Sequence, residues 1–152
     1  MTTLVYSTRH RTMAADTMVS NGHTSGTVSK IAWHKKSGAI TGITGPLCQG
    51  QQWLEIFKKY GLDHKRLWPN KILNENNMCI VVTKDGDVYV AESNGWCKFK
   101  SEFYAYGSGA DFALGALAHG ATPREAVEIA SLFDTGGTNS FVEVFELPRK
   151  VK

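Results

Sequence analysis

Near the middle of the chain, Met78 to Thr83 is an apolar run, Asp87 to Glu92 alternates apolar and polar residues, and Lys84-Asp85-Gly86 joins them. An Asp-Gly pair between two such runs is a strong short-range signal for an antiparallel hairpin, because these residues tolerate the positive φ of a tight turn. Any fold for this chain therefore has to accommodate an antiparallel sheet. The remaining β-prone runs are short. Thr2 to Ser7 and Thr12 to Asp16 flank the polar Thr8-Arg9-His10-Arg11 and read as a second hairpin. Val28 to His34 and Ala39 to Thr44 form a strand pair about Lys35-Lys36-Ser37-Gly38, and residues 20–26 read as a loop by composition. Trp96 to Lys100 and Phe103 to Tyr106 are expected to extend the sheet of the central hairpin, and Phe141 to Leu147 is a last strand.

Three segments carry helical spacing. After Pro46, the residues Trp53, Leu54, Ile56, Phe57 and Tyr60 recur on one face, and Gly61 is placed to stop the helix. Ala110 to His119 is rich in Ala and Leu and ends at Gly120. Thr122-Pro123-Arg124-Glu125 is a capping box with proline at the first helical position, so Ala126 to Phe133 continues a third helix. Leu62 to Asn77 lacks a pattern and reads as a loop with one short turn. The order ββββ-α-ββββ-αα-β predicts an α+β fold in which two antiparallel sheets lie face to face with helices outside, a four-layer α-β-β-α sandwich. At 152 residues and 16.7 kDa the chain is expected to form a single domain over residues 1–152.

Composition narrows the function classes. An apolar fraction of 42% with only 20% charged residues describes a packed protein and excludes disorder. The net charge of +3 owes part of its excess to the tail Arg149, Lys150 and Lys152, which gives nucleic-acid binding little support. The apolar stretches fall far below the roughly 20 residues that span a bilayer, and the N-terminus shows no export signal, so a cytoplasmic location is expected with no membrane partner. Cys48, Cys79 and Cys97 are odd in number and far apart, which points to buried free thiols and away from disulfides or zinc. The five histidines show no ligand spacing, and no phosphate loop is present, so neither a metal nor another cofactor is expected.

The residue with most chemical meaning is Thr2. It follows Met1, and threonine is small enough for the preceding methionine to be removed. A free N-terminal threonine carries a nucleophilic hydroxyl and, within reach of it, an α-amine of pKa about 8 that can act as its base. Around it, in order, stand Thr2-Thr3-Leu4-Val5, Ala14-Ala15-Asp16-Thr17, Ser29-Lys30-Ile31, Thr41-Gly42-Ile43-Thr44-Gly45 and Tyr106-Gly107-Ser108-Gly109-Ala110. In this order they resemble the proteasome β-subunit family and its bacterial relative, the HslV-like heat-shock peptidase, both N-terminal-nucleophile (Ntn) hydrolases. The resemblance covers most of the chain and is closest from Gly42 to Tyr60.

That resemblance implies a set of roles. Thr2 is the nucleophile, Asp16 and Lys30 are its polar partners, Gly42 is an oxyanion donor through its backbone N–H, and Ser108 supports the α-amine. Ser20 and Thr44 stand where a substrate backbone adds as a β-strand, and Ile40 lies in the floor of the first specificity pocket. The implied activity is that of a threonine peptidase acting on unfolded proteins or peptides inside a homo-oligomeric ring, fed by a separate ATP-driven AAA+ unfoldase. The alternative is a catalytically inactive scaffold or assembly protein of the same fold.

Two departures bear on that alternative. The family carries an aspartate three residues before a Ser/Thr-Gly-Gly, whereas here Leu132 stands ahead of Thr135-Gly136-Gly137 and Asp134 is next to the threonine. Leu62 to Asn77 is also short where the family has a second long helix. Asp134-Thr135-Gly136 matches the signature of aspartic proteases as well, but those place it after a strand, and here it follows a capped helix.

Overall fold

The structure is a computed structural model and describes residues 2–63 and 72–149. The first half runs β1 (Leu4–Ser7), β2 (Thr12–Asp16), β3 (Met18–Ser20), β4 (Ser25–Thr27), β5 (Ile31–His34), β6 (Ala39–Thr44) and α1 (Leu47–Tyr60). One turn of 3-10 helix, Gly61–Asp63, follows; the second half runs β7 (Met78–Val82), β8 (Val88–Glu92), β9 (Gly95–Lys98), β10 (Phe103–Tyr106), α2 (Ala110–Ala118), α3 (Pro123–Phe133) and β11 (Val142–Glu146).

Two antiparallel sheets result, one ordered β10-β1-β2-β11 and the other β5-β6-β7-β8-β9. They pack through Leu4, Tyr6, Met13, Ile40, Ile80 and Val82, all fully buried. Helices α2 and α3 cover the outer face of the first sheet through Val5, Ala14, Ala113, Leu117, Val127 and Ala130. Helix α1 covers the second through Trp53, Leu54 and Phe57 against Ala32, Ile43 and Val81. This is the expected α-β-β-α sandwich, and period-two alternation explains it: Leu4 and Tyr6 face the other sheet while Val5 faces the helices.

Several boundaries differ from the sequence reading. Phe103–Tyr106 joins the first sheet, pairing with β1 from Leu4↔Tyr106 to Ser7↔Phe103. Its partner lies at the other end of the chain, and no local pattern encodes such a pairing. Residues 18–27 are a small ribbon, Met18↔Thr27 to Ser20↔Ser25, which takes in the loop expected at residues 20–26. Its second strand is exposed throughout and therefore shows no apolar alternation. Only Cys79 is a buried thiol, since Cys48 and Cys97 are exposed. The loop expected at 62–77 falls partly on residues 64–71, outside the described residues, and so does the region of the missing family helix.

The helix ends follow their signals. Thr122 accepts the Glu125 N–H and Glu125 accepts the Thr122 N–H, closing the capping box on α3. Gly61, at φ 62°, ends α1 in a conformation that side chains disfavour. Trp53 is the largest fully buried side chain, and its indole N–H donates to the Thr41 hydroxyl at 3.0 Å. Trp53→Ala opens a cavity and removes that donor, and is expected to cost roughly 3–5 kcal/mol, read as a lowered urea midpoint.

Candidate active site

Thr2 and Thr3 lead into β1, an interior strand of the first sheet, and are 4% and 0% exposed. Buried backbone there must find partners. Asp16, the last residue of the neighbouring β2, supplies them: its N–H donates to the Thr3 carbonyl at 3.1 Å, and its Oδ1 accepts the Thr3 N–H at 2.8 Å. Asp16 Oδ2 accepts the Met18 N–H at 3.0 Å, and both carboxylate oxygens take the Lys30 ammonium at 3.0 Å. The Asp16 side chain is 0% and the Lys30 side chain 7% exposed, so this is a buried ion pair with its hydrogen bonds made. Burial pushes the Lys30 pKa below its ordinary value, opposed by the charge and hydrogen bonds of Asp16 and by the charge of Glu143.

Lys30 does not run out to solvent. It lines a cavity of about 280 Å³ with Thr2, Ser20, Val19, Gly45 and Leu47. Gly45 closes the far side at φ +93°, and a Cβ there would stand 2.1 Å from the Asn76 carbonyl oxygen, so no side chain fits. The buried Asn77 fixes this corner, its amide donating to the carbonyls of Thr44 and Pro46 at 3.1 and 3.2 Å.

Behind Thr2 runs a chain of hydroxyls. The Thr2 nitrogen donates to Ser108 Oγ at 3.4 Å, and Ser108 donates its own proton to Asp134 Oδ2 at 2.7 Å. Thr138 also donates to Asp134 Oδ2, and its hydroxyl meets that of Thr3 at 2.6 Å. Desolvation works to raise the Asp134 pKa, but hydrogen bonds from Thr138, Ser108 and the Gly136 N–H outweigh it, so the carboxyl titrates below its ordinary value of 3.8. Ser108 reaches Thr2 because Gly107, at φ +95°, lies against it: a Cβ there would stand 2.0 Å from the Thr2 carbonyl oxygen.

The residues singled out by sequence divide clearly. Thr2, Lys30 and Ser20 share the cavity, with Asp16 behind Lys30 and Ser108 behind Thr2. Gly42 is not at the cavity. Its Cα faces Leu4 and Met13 between the sheets. Its N–H points toward β7, opposite Ile80, because the next residue, Ile43, sends its N–H the other way to Lys30. Ile40 is likewise part of the core between the sheets, 0% exposed, and does not line this cavity. Thr44 turns its hydroxyl to the Met78 carbonyl at 3.4 Å. Alternation explains Gly42 and Ile40, which share the inward face of β6, while Gly45 stands beyond the strand's end, where the chain turns toward the cavity. Sequence reading missed Asn77, Thr138 and Glu143, and left Asp134 unassigned. The Asp134-Thr135-Gly136-Gly137 break after α3 was the available clue to Asp134, since it marks where that helix stops. Among the described residues, no group of three or more His, Cys, Asp or Glu is placed to hold a metal ion.

No protein-family sequence model matches the chain, and no curated protein matches it by sequence. Solved structures do match in three dimensions. Eukaryotic HslV from Trypanosoma brucei superimposes with a TM-score of 0.69 at 17% identity, covering 94% of this chain and 97% of that one. The four-layer α-β-β-α fold of this chain is the fold of that structure. BPH of Thiobacillus denitrificans, solved in complex with epoxomicin, matches with a TM-score of 0.60 at 21% identity, over 97% of this chain and 99% of that one. Each match spans nearly the whole length of both chains.

Two outcomes follow from the buried charges. Lys30→Met leaves Asp16 buried without its counter-charge, and is expected to destabilise by roughly 3–5 kcal/mol. Lys30→Met with Asp16→Asn recovers part of that loss in a double-mutant cycle of urea unfolding. Asp134 contributes stability above its ordinary value, and that contribution is lost as pH falls through its lower native value. Asp134→Asn is therefore expected to lie below wild type at neutral pH, with the gap in urea midpoint closing as the solution is acidified below 3.8.

Proposed function

We propose that this chain is the subunit of a threonine peptidase in which Thr2 becomes the nucleophile once the residue before it is removed. The observation that carries the reading is the shared cavity of Thr2 and Lys30, with the lysine held by both oxygens of Asp16. The freed α-amine of Thr2 accepts the proton of its own hydroxyl, and the Lys30 charge favours the alkoxide that develops. The oxygen attacks a peptide carbonyl, and the carbonyl oxygen takes the negative charge. Gly45, bare of a side chain at the cavity wall, is the candidate backbone donor to that oxyanion in place of Gly42. The amine passes its proton to the departing amine, leaving an ester on Thr2, and then draws a proton from the water that hydrolyses it. Ser108 has its proton committed to Asp134 and keeps a lone pair for the α-amine, which holds that base beside the hydroxyl.

The substrates we propose are peptides or unfolded chains. The cavity accepts an extended segment beside Ser20 and Val19 of the β3–β4 ribbon. We further propose assembly into a homo-oligomeric chamber in the cytoplasm, with a separate ATPase feeding it. Exposed Leu132, Phe133 and Phe112 on the outer helices support such packing, since a contiguous apolar face of this kind is a contact surface.

The test is the intact mass of the purified chain before and after exposure to a peptide epoxyketone, whose ring adduct needs both the hydroxyl and a free amine. Loss of the residue before Thr2 and one adduct, absent in Thr2→Ala, are expected. A chain that keeps that residue and stays unlabelled points instead to the inactive scaffold.

A further inference from the structure

One carboxylate beside this site is unused by the mechanism. Glu143 lies on β11, opposite Ala15 of β2, and so faces inward toward the second sheet. There it accepts the Lys30 backbone N–H and the Ser29 hydroxyl at 2.7 Å, with the Ile31 N–H as a further donor. The local backbone shows what this does. The Lys30 carbonyl accepts the Ile43 N–H in the manner of a β-ladder, but its own N–H leaves the ladder and turns to Glu143. Lys30 precedes the first paired residue of β5, so neighbouring strand pairing alone does not fix it. It is gripped at two ends: Asp16 of β2 holds its ammonium, and Glu143 of β11 holds its main chain. Further along the same seam, Phe145 packs on Trp33 with ring centroids 5.4 Å apart.

We propose that Glu143 is the positioning residue for Lys30, fixing through the main chain of Ser29–Ile31 where the lysine's ammonium stands between Asp16 and the Thr2 cavity. The proposal rests on the peptidase reading for its catalytic meaning, though its geometry does not. Burial raises the Glu143 pKa above its ordinary range in spite of the donors around it. The carboxylate thus takes up its proton at a higher pH than an exposed glutamate does, and with that proton Lys30 loses the neighbouring charge of Glu143. The other charges facing this seam are Asp16 from β2 and Lys58 from α1, which lines the same groove as Glu143 and is paired with Glu55.

The experiment uses Glu143→Gln, of the same shape without the charge, and Glu143→Asp, with the charge one carbon shorter. Two readouts are followed: the NMR titration of the Lys30 side chain, and the rate of epoxyketone adduct formation against pH. In Glu143→Gln the Lys30 titration is expected to move downward and the adduct rate to fall about tenfold, the scale of a small displacement of a reacting group. The acid limb of the rate profile contributed by Glu143 also disappears. Glu143→Asp recovers the Lys30 titration more than the rate. If Glu143→Gln is folded and leaves both the Lys30 titration and the adduct rate within twofold of wild type, the positioning role is wrong. Should that variant fail to fold, Ser29→Ala removes one donor and leaves the carboxylate in place. A shifted Lys30 titration in Ser29→Ala supports the grip, and an unchanged one overturns it. Absence of any adduct in the wild type defeats the peptidase reading alone, because the Lys30 titration still decides the role of Glu143.

Discussion

A single ion pair across the two sheets organises this molecule. Lys30 comes from the approach to the second sheet, Asp16 from the end of β2 in the first, and both side chains are buried. Such a pair repays its desolvation only when every remaining lone pair is occupied. Here that condition is met by the backbone: Asp16 also takes the Thr3 and Met18 N–H groups, which fixes the start of β1 and the entry to the β3–β4 ribbon at once. One carboxylate therefore sets the position of the segment before it, the segment after it and the strand opposite. The cavity beside Thr2 is the space these three constraints leave.

The second layer of control is steric. Polar groups converge at one end of the sandwich because main chains come closer there than side chains permit elsewhere. Gly107 lets the Ser108 loop rest on the Thr2 carbonyl, and Gly45 lets the β6–α1 corner rest on Asn76. From these approaches come the two walls of the cavity, one carrying the hydroxyl chain that ends on Asp134, the other presenting bare backbone. Substituting either glycine would displace a wall and not simply remove a contact.

Much of this was legible in the sequence, and the exceptions share a cause. The Thr12–Asp16 strand, the α1 segment ending at Gly61 and the capping box at Thr122 are local patterns, and they appear where periodicity and end signals put them. The alignment of β10 with β1 is a pairing between distant segments, and nothing near Phe103 specifies it. Gly42 and Gly45 sit three residues apart in one glycine-rich stretch, and only the alternation of the folded strand separates the core glycine from the cavity glycine. Asp134 stands next to Thr135 in sequence, yet the threonine hydroxyl that donates to it is that of Thr138, because the Gly136–Gly137 turn folds the chain back. Glu143 carries no signal at all before folding: a charged residue in an alternating strand reads as solvent-facing, and its inward turn is imposed by the register with β2.

The hydrogen bonds around Thr2 and Thr3 span most of the chain, reaching Ser108 and Thr138. Contacts of that separation carry the largest loop-closure cost and form late in folding. During synthesis, Thr2 and Thr3 are made long before Ser108 and Thr138, and the cavity cannot close until α3 and the turn after it have emerged.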